Sequence, residues 1–124
     1  MKKILTIVTT LCFFIFFSFS QNAEQRLKEK GIELSTPSKP VANYVNAVRV
    51  GNLLYLSGKG PKNADGTDIT GKVGKDLTIE QGYQAARSTA IQHLAVIKAE
   101  LGSLNKVKRV IKVLGMVNCE SGFT

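Results

Sequence analysis

The residues that could do chemistry are concentrated where an apolar run, LLYL, ends in Ser57, Gly58 and Lys59. The following Gly60 and Pro61 make the whole stretch SGKGP a good strand-ending turn. The same stretch could instead form the floor of a binding site, in which Lys59 would add a cation. Both interpretations remain open on these residues alone.

Histidine and cysteine are too few to suggest a metal centre. The chain has one histidine, His93, and two cysteines, Cys12 and Cys119, and none of them cluster at metal-ligand spacing. We therefore expect no metal and no cofactor. Because no partner is visible near His93 in the sequence, we interpret it as a boundary histidine with a partly covered ring. Cys119 would be the single thiol of an exported chain, so we expect no internal disulfide.

The first 20 residues have the layout of a secretory signal peptide. Met1-Lys2-Lys3 is a basic start, residues 4–19 are mainly apolar, and Ser18-Phe19-Ser20 places small residues before a cleavage point after Ser20. The alternative is a membrane anchor, but a spanning helix needs roughly 20 apolar residues and this run is shorter. We predict export to the periplasm or the exterior, with no stable membrane anchor.

The rest of the chain divides into an extension and one small domain. We predict a polar N-terminal extension and linker over residues 21–40, with a short helix in QNAEQRLKEK that Gly31 stops. The domain would occupy residues 41–124. The net charge of +8 leaves an anionic partner open. The lysines are scattered, however, so we favour an ordinary solvated surface and do not expect nucleic acid.

A β-hairpin is predicted from two apolar runs, YVNAVRV and LLYLS, separated by Gly51-Asn52. A two-residue loop of this kind supplies the positive φ angles of primed hairpin turns. Because LLYL is apolar on both faces, we expect this strand to be covered on both sides and to be central in its sheet.

A long loop and a helix follow the hairpin. Residues 61–76 are dense in Gly, Asp and Lys and read as a loop, whereas Thr78 and Gln81 form a capping box for a helix that Gly102 ends. Apolar residues at spacings of three and four predict one stripe that packs on the core. Its members are Ile79, Tyr83, Ala86, Ala90, Leu94, Ile97 and Leu101.

A third strand is predicted over residues 107–117, with mixed character on both faces. The order of hairpin, helix and strand predicts an α+β fold, a partial β-β-α-β unit with the helix packed on one face of the sheet. Three strands leave the other face of the sheet open. We therefore expect that the sequence is incomplete after Thr124, or that another chain supplies the cover.

Taken in order, NYVNAVRVGNLLYLSGKGP, the capped helix and VKRVIKVLGMVN resemble the RidA family of reactive-intermediate deaminases, also labelled L-PSP endoribonucleases. The resemblance covers about residues 41–123. It implies a chorismate-mutase-like fold and a homotrimer with a small-molecule site in each cleft between subunits. The substrate-binding residues that it implies are Tyr44, which would close over the ligand, Ser57 and Gly58, whose backbone lines the cleft, and Lys59.

Two departures from the family affect the prediction. Lys59 stands where the family usually has glutamine, which adds a cation at the mouth of the cleft. The family's arginine, which clamps the substrate carboxylate, and its glutamate, which holds the attacking water, are expected beyond Thr124. Arg87 and Arg109 do not fit the family's motif. The catalytic residues are therefore unknown, and the domain is expected to be C-terminally truncated.

Three functions follow from the resemblance. The first is hydrolysis of reactive imines or enamines of small 2-keto acids. The alternative is a non-catalytic module that binds a small carboxylate-bearing metabolite, which Lys59 and the export signal favour. RNA binding or cleavage ranks third, because Tyr44 and Tyr55 are too few and too separated to form an evident stacking platform.

Overall fold

The computed structural model describes residues 22–40 and 42–123, so the predicted signal peptide lies outside the described residues. The elements in chain order are α1 (Ala23–Glu29), β1 (Ala47–Val50), β2 (Leu53–Leu56), α2 (Ile79–Leu101) and a short 3-10 helix (Leu104–Lys106). Helices and a small antiparallel sheet together give an α+β arrangement. None of the helices in this part of the chain is long and apolar enough to cross a bilayer.

The β-hairpin is confirmed. Strands β1 and β2 pair antiparallel, with Ala47 opposite Leu56 and Val50 opposite Leu53. Gly51 has a φ of 57°, and every non-glycine residue of the described chain has a negative φ. A positive φ at the first loop position alone is what a type II′ turn requires, and glycine adopts it without steric cost.

The prediction that β2 is covered on both faces is wrong for the described chain. Leu54 and Leu56 are half-buried, but Leu53 and Tyr55 on the other face are exposed, Tyr55 by 60%. Strand β2 has β1 as its neighbour in a two-stranded sheet. Apolar residues on both faces of a strand show that both faces could be buried. In the described residues, other parts of the chain cover only one face of β2.

Helix α2 begins and ends where the sequence predicts. The hydroxyl of Thr78 accepts a hydrogen bond from the backbone N–H of Gln81, and the Gln81 side chain accepts one from the backbone N–H of Thr78. Gly102 caps the other end in the left-handed conformation with a φ of 76°. These contacts satisfy backbone groups that a helix leaves open at its ends.

The apolar stripe predicted for α2 is wrong over its first half. Ile79 and Tyr83 are 69% and 65% exposed, whereas the buried residues of the helix are Ala85, Ala95 and Val96. The buried face is therefore rotated away from the predicted stripe.

The reason for this rotation is the loop that packs against α2. A Cβ on Gly82 would lie 2.9 Å from a methyl carbon of Val73, so the backbones approach closely there. The Ser88 hydroxyl donates to the carbonyl of Lys62 at 2.7 Å, and the Gln92 amide donates to the carbonyl of Gly60 at 2.8 Å. A polar loop makes its best contacts with small and hydrogen-bonding residues, and these lie on a different face from the apolar stripe.

The predicted third strand is not formed. Residues 107–118 are in neither helix nor strand. A strand requires a hydrogen-bonded neighbour, and the described residues place none beside this segment. At its end, Val73 donates to the carbonyl of Asn118 and accepts from the N–H of Glu120, both at 2.9 Å. The exposed apolar side chains of the segment are Val110, Ile111, Val113, Leu114, Met116 and Val117.

The N-terminal extension contains the predicted short helix, α1, and Glu24 ties it to the end of α2. The Glu24 carboxylate accepts hydrogen bonds from the Ser103 hydroxyl, from the N–H of Leu104 and from the Lys98 ammonium, at 3.1, 3.1 and 2.9 Å. In return, the N–H of Glu24 donates to the Asn105 side chain at 3.3 Å. These donors hold the pKa of Glu24 below its usual value, with Lys98 the largest cause.

Candidate functional site

The end of β2 is held beside the segment that leads into β1. The N–H of Ser57 donates to the carbonyl of Asn46 at 3.0 Å, and the Ser57 hydroxyl donates to the carbonyl of Val45 at 2.6 Å. The pairing of the two chain segments thus extends one residue beyond the start of β1 and the end of β2. Because its proton is committed to Val45, the Ser57 hydroxyl positions the strand end and can only accept from a ligand.

Gly58 leaves the main chain open. The residue is exposed, and no atom lies within 4 Å of the position that a Cβ would occupy. Its φ is outside the left-handed region, so the backbone does not itself require glycine. What the absent side chain provides is room for a small molecule to reach the peptide groups of the strand end.

Tyr44 lies in the segment that leads into β1, which is held beside the end of β2. Its N–H donates to the carbonyl of Ala42 at 2.8 Å, which fixes a tight turn before β1. The side chain is 44% exposed. An exposed aromatic ring two residues from Asn46 can pack over a molecule at the strand end.

Lys59 is half-buried and held by a neutral partner. Its ammonium donates to the Asn46 side-chain oxygen at 2.6 Å, and the Asn46 amide donates to the carbonyl of Ser38 at 3.0 Å. An ammonium has three N–H donors, so two remain for a ligand or for water. Asn46 thereby fixes the position of Lys59 without neutralising its charge.

Helix α2 brings the single histidine to the same place. The hydrogen bond from Gln92 to the carbonyl of Gly60 joins the residue before His93 to the residue after Lys59. The His93 ring is partly covered, as expected from the sequence, and its Nδ1 is buried without a partner in the part of the chain that the structure describes. Burial lowers the pKa of His93, and the nearby Lys59 ammonium lowers it further. The imidazole is therefore neutral at neutral pH.

We refer to Asn46, Lys59 and His93 as the Lys59 cluster. The structure brings it together with Ser57 and Gly58 at the end of β2. Asn46 and His93 were missed as functional residues in the sequence, because neither has a motif around it and both reach Lys59 only through tertiary packing. The polar Asn46 within the apolar run YVNAVRV was the one available signal.

Metal binding has no support within residues 22–40 and 42–123. These residues contain no group of three or more His, Cys, Asp and Glu side chains that could hold a metal ion. The chemistry that this arrangement can offer is hydrogen-bond donation, a positive charge and access to the main chain.

Comparison with known proteins gives consistent matches. A family model described as "YjgF/chorismate_mutase-like, putative endoribonuclease" matches residues 24–123. Protein TCP17 of Trypanosoma cruzi is 42% identical over 98 residues, which are 79% of this chain and 61% of that protein. The crystal structure of Atu1372 from Agrobacterium tumefaciens, a protein of unknown function, matches with 39% identity and a TM-score of 0.61. That match covers 78% of this chain and 58% of the Agrobacterium chain, so this chain spans about three fifths of the length of each relative.

Proposed function

The chain belongs to the YjgF/chorismate-mutase-like family, and we propose that it hydrolyses reactive imines or enamines of small 2-keto acids to the keto acid and ammonia. The observation that carries the proposal is the strand end at Ser57 and Gly58. There, an open main chain lies beside a half-buried ammonium and a neutral imidazole. This combination suits a small, polar, negatively charged molecule.

In this proposal, the residues of this chain bind and orient the substrate. Tyr44 packs over the bound molecule, Ser57 fixes the strand end, and the peptide groups around Gly58 hydrogen-bond to the substrate. Water adds across the carbon–nitrogen double bond, and the carbon–nitrogen bond then breaks to release ammonia. No residue of this sequence matches the family's arginine and glutamate. We therefore propose no residue of this chain as the group that activates the water molecule.

Assembly and location form part of the same proposal. We propose homotrimers with a site at each cleft between subunits, in a protein exported by its N-terminal segment. The exposed apolar side chains between Val110 and Val117 support an assembly, because burying them against another protein surface would be favourable. The basic start and apolar run of residues 1–20 support export.

The experiment is an ammonia-release assay on an imine generated in situ from a small amino acid. We compare the wild type with Gly58→Val and Ala99→Val. Gly58 has open space around the Cβ position and a φ outside the left-handed region, and Ala99 is an exposed residue of α2 outside both the candidate site and the apolar segment Val110–Val117, so Ala99→Val controls for added bulk. We expect Gly58→Val to lower kcat/KM at least about tenfold, because a lost transition-state contact of about 1.4 kcal/mol has that effect. We expect Ala99→Val to leave kcat/KM near the wild-type value. Ammonia release no faster than in buffer would contradict the proposal.

Binding without turnover is the second candidate, favoured by a specific feature of the Lys59 cluster. The free groups of Lys59 are hydrogen-bond donors, and Nδ1 of His93 is buried, so that nitrogen cannot take a proton from a water molecule in the site. Binding of a 2-keto acid without ammonia release would establish this candidate. RNA binding would instead appear as an affinity for RNA that weakens steeply as salt rises.

A further inference from the structure

We propose that Lys59 and His93 form a carboxylate-binding pair, in which the Lys59 ammonium and the Nε2–H of His93 both donate hydrogen bonds to the ligand. The inference rests on the proposed function for the identity of the ligand, a small 2-keto acid or its imine. It assigns to this chain's own residues the recognition of the negatively charged end of that molecule.

Among residues 22–40 and 42–123, Lys59 has no negatively charged partner. The ion pairs among the described residues are Lys62 with Asp68, Lys72 with Glu120, and Lys98 with Glu24. Lys59 is in none of them, and its one hydrogen bond to the described chain is to the neutral amide of Asn46. Partly buried charges are usually paired, because removing a charge from water is costly. An ammonium held in place by an amide is therefore prepared for an external anion.

The surroundings of the His93 ring indicate which nitrogen carries the proton. Nδ1 is buried without a partner in the described chain, whereas Nε2 is not among the buried atoms that lack one. A buried N–H without an acceptor is rarer in proteins than a buried acceptor without a donor. The neutral ring therefore carries its proton on Nε2, at the more accessible side. Nε2 is then a hydrogen-bond donor.

Lys59 offers two remaining N–H donors and His93 offers one, and the acceptor of the neutral ring, Nδ1, is buried away from the ligand. The carboxamide of Asn46 is already engaged by the protein, since its oxygen accepts from Lys59 and its nitrogen donates to the carbonyl of Ser38. A site that consists of donors and one positive charge selects acceptor oxygens with negative charge, which are those of a carboxylate.

The unpartnered Nδ1 within the described chain also has an energetic consequence. A buried polar atom without a partner destabilises the fold relative to an apolar atom of similar shape. Residues that break a local rule of packing in this way are expected at functional sites. The pair therefore predicts that an apolar ring at position 93 stabilises the protein while it weakens ligand binding. A purely structural role for His93 predicts no loss of binding.

The test is a titration with pyruvate, followed by NMR on the purified protein. Lys59→Gln removes the charge and retains a side-chain donor for Asn46. His93→Phe removes the ring N–H, and His93→Gln restores a donor near Nε2. Lys75→Gln is the matched control, because Lys75 is exposed in the turn before α2 and its side chain has no hydrogen bond in the described chain. Pyruvamide, which lacks the carboxylate, serves as the neutral ligand.

We expect Lys59→Gln to weaken pyruvate binding about tenfold, as for the loss of a hydrogen bond to a charged group, and to leave pyruvamide binding unchanged. We expect His93→Phe to weaken pyruvate binding several-fold with a higher Tm, and His93→Gln and Lys75→Gln to bind nearly as the wild type does. Pyruvate binding that is equal in the wild type, Lys59→Gln and His93→Phe, or absent from the wild type, would overturn the inference.

The ammonia assay separates this inference from the proposed function. If pyruvate binding depends on Lys59 and His93 but no ammonia is released, the inference stands and the hydrolysis fails. If ammonia is released and Lys59→Gln leaves KM and pyruvate binding unchanged, the hydrolysis stands and the pair is overturned.

Discussion

Two charged side chains tie distant parts of the chain together, and they do so in opposite ways. Glu24 in α1 receives three donors, including the Lys98 ammonium, so its charge is balanced and each partner is satisfied. Lys59 is bound to a neutral amide and lies beside the His93 ring, whose Nδ1 has no partner in the part of the chain that the structure describes. A balanced charge holds the fold together, whereas an unbalanced charge is available to a ligand. The difference separates a structural tie from a candidate binding site.

The largest expected effect is on the stability of the fold, and it comes from the balanced charge of Glu24. Glu24→Ala would leave the Ser103 hydroxyl and the N–H of Leu104 without their acceptor and release α1 from the end of α2. We expect the Tm to fall by a few degrees, as measured by circular dichroism. Glu100→Ala is the control, because Glu100 is exposed and its side chain has no hydrogen bond in the described chain. Equal Tm values for the two variants would show that the Glu24 tie contributes nothing to stability.

Acid should weaken the same tie. The pKa of Glu24 in the folded chain is below its ordinary value of 4.5, so the unfolded chain binds the proton more readily. The stabilisation is therefore present above pH 4.5 and is lost as the pH falls through the folded pKa. We expect backbone amides of α1 to lose protection from hydrogen exchange over that range, relative to the intrinsic exchange rate. Glu24→Gln should abolish this pH dependence, and its persistence in that variant would assign it to another group.

A smaller effect of pH on stability is expected from His93. Burial and the Lys59 ammonium both hold its pKa below 6.5, so the unfolded chain takes up a proton that the folded chain does not. Stability should consequently fall as the pH drops below 6.5. In Lys59→Gln, the ring pKa measured by NMR should rise toward 6.5 but remain below it, because burial is the larger cause. A ring pKa that is unchanged by Lys59→Gln would show that the two groups do not interact.

The features predicted correctly are those that local chemistry determines. Gly51 supplies the one positive φ of the hairpin turn, and Thr78 with Gln81 caps α2 through contacts within three residues. The incorrect predictions concern which residues pack against a given helix or strand. The faces of β2, the buried side of α2 and the pairing of residues 107–117 depend on partners that are distant in sequence or lie outside the described residues.

The residues of the candidate site could be predicted only in part, because some of them come together through tertiary packing. Ser57, Gly58 and Lys59 stand in succession at the end of an apolar run, and this position together with the family resemblance singled them out. Asn46 and His93 come to Lys59 only when the hairpin closes and α2 packs beside it. Their roles could not be read from spacing, because a lone histidine on a helix has no partner in the sequence to indicate a function.

The central claim is tested most directly by the ring nitrogen signals of His93 in a 15N NMR titration with pyruvate. We predict a neutral ring protonated on Nε2, whose Nε2–H signal shifts as pyruvate binds; in Lys59→Gln the same shift should require about tenfold more pyruvate. A ring protonated on Nδ1, or an Nε2 signal that pyruvate leaves unchanged in the wild type, would contradict the assignment of the Lys59 cluster as a binding site.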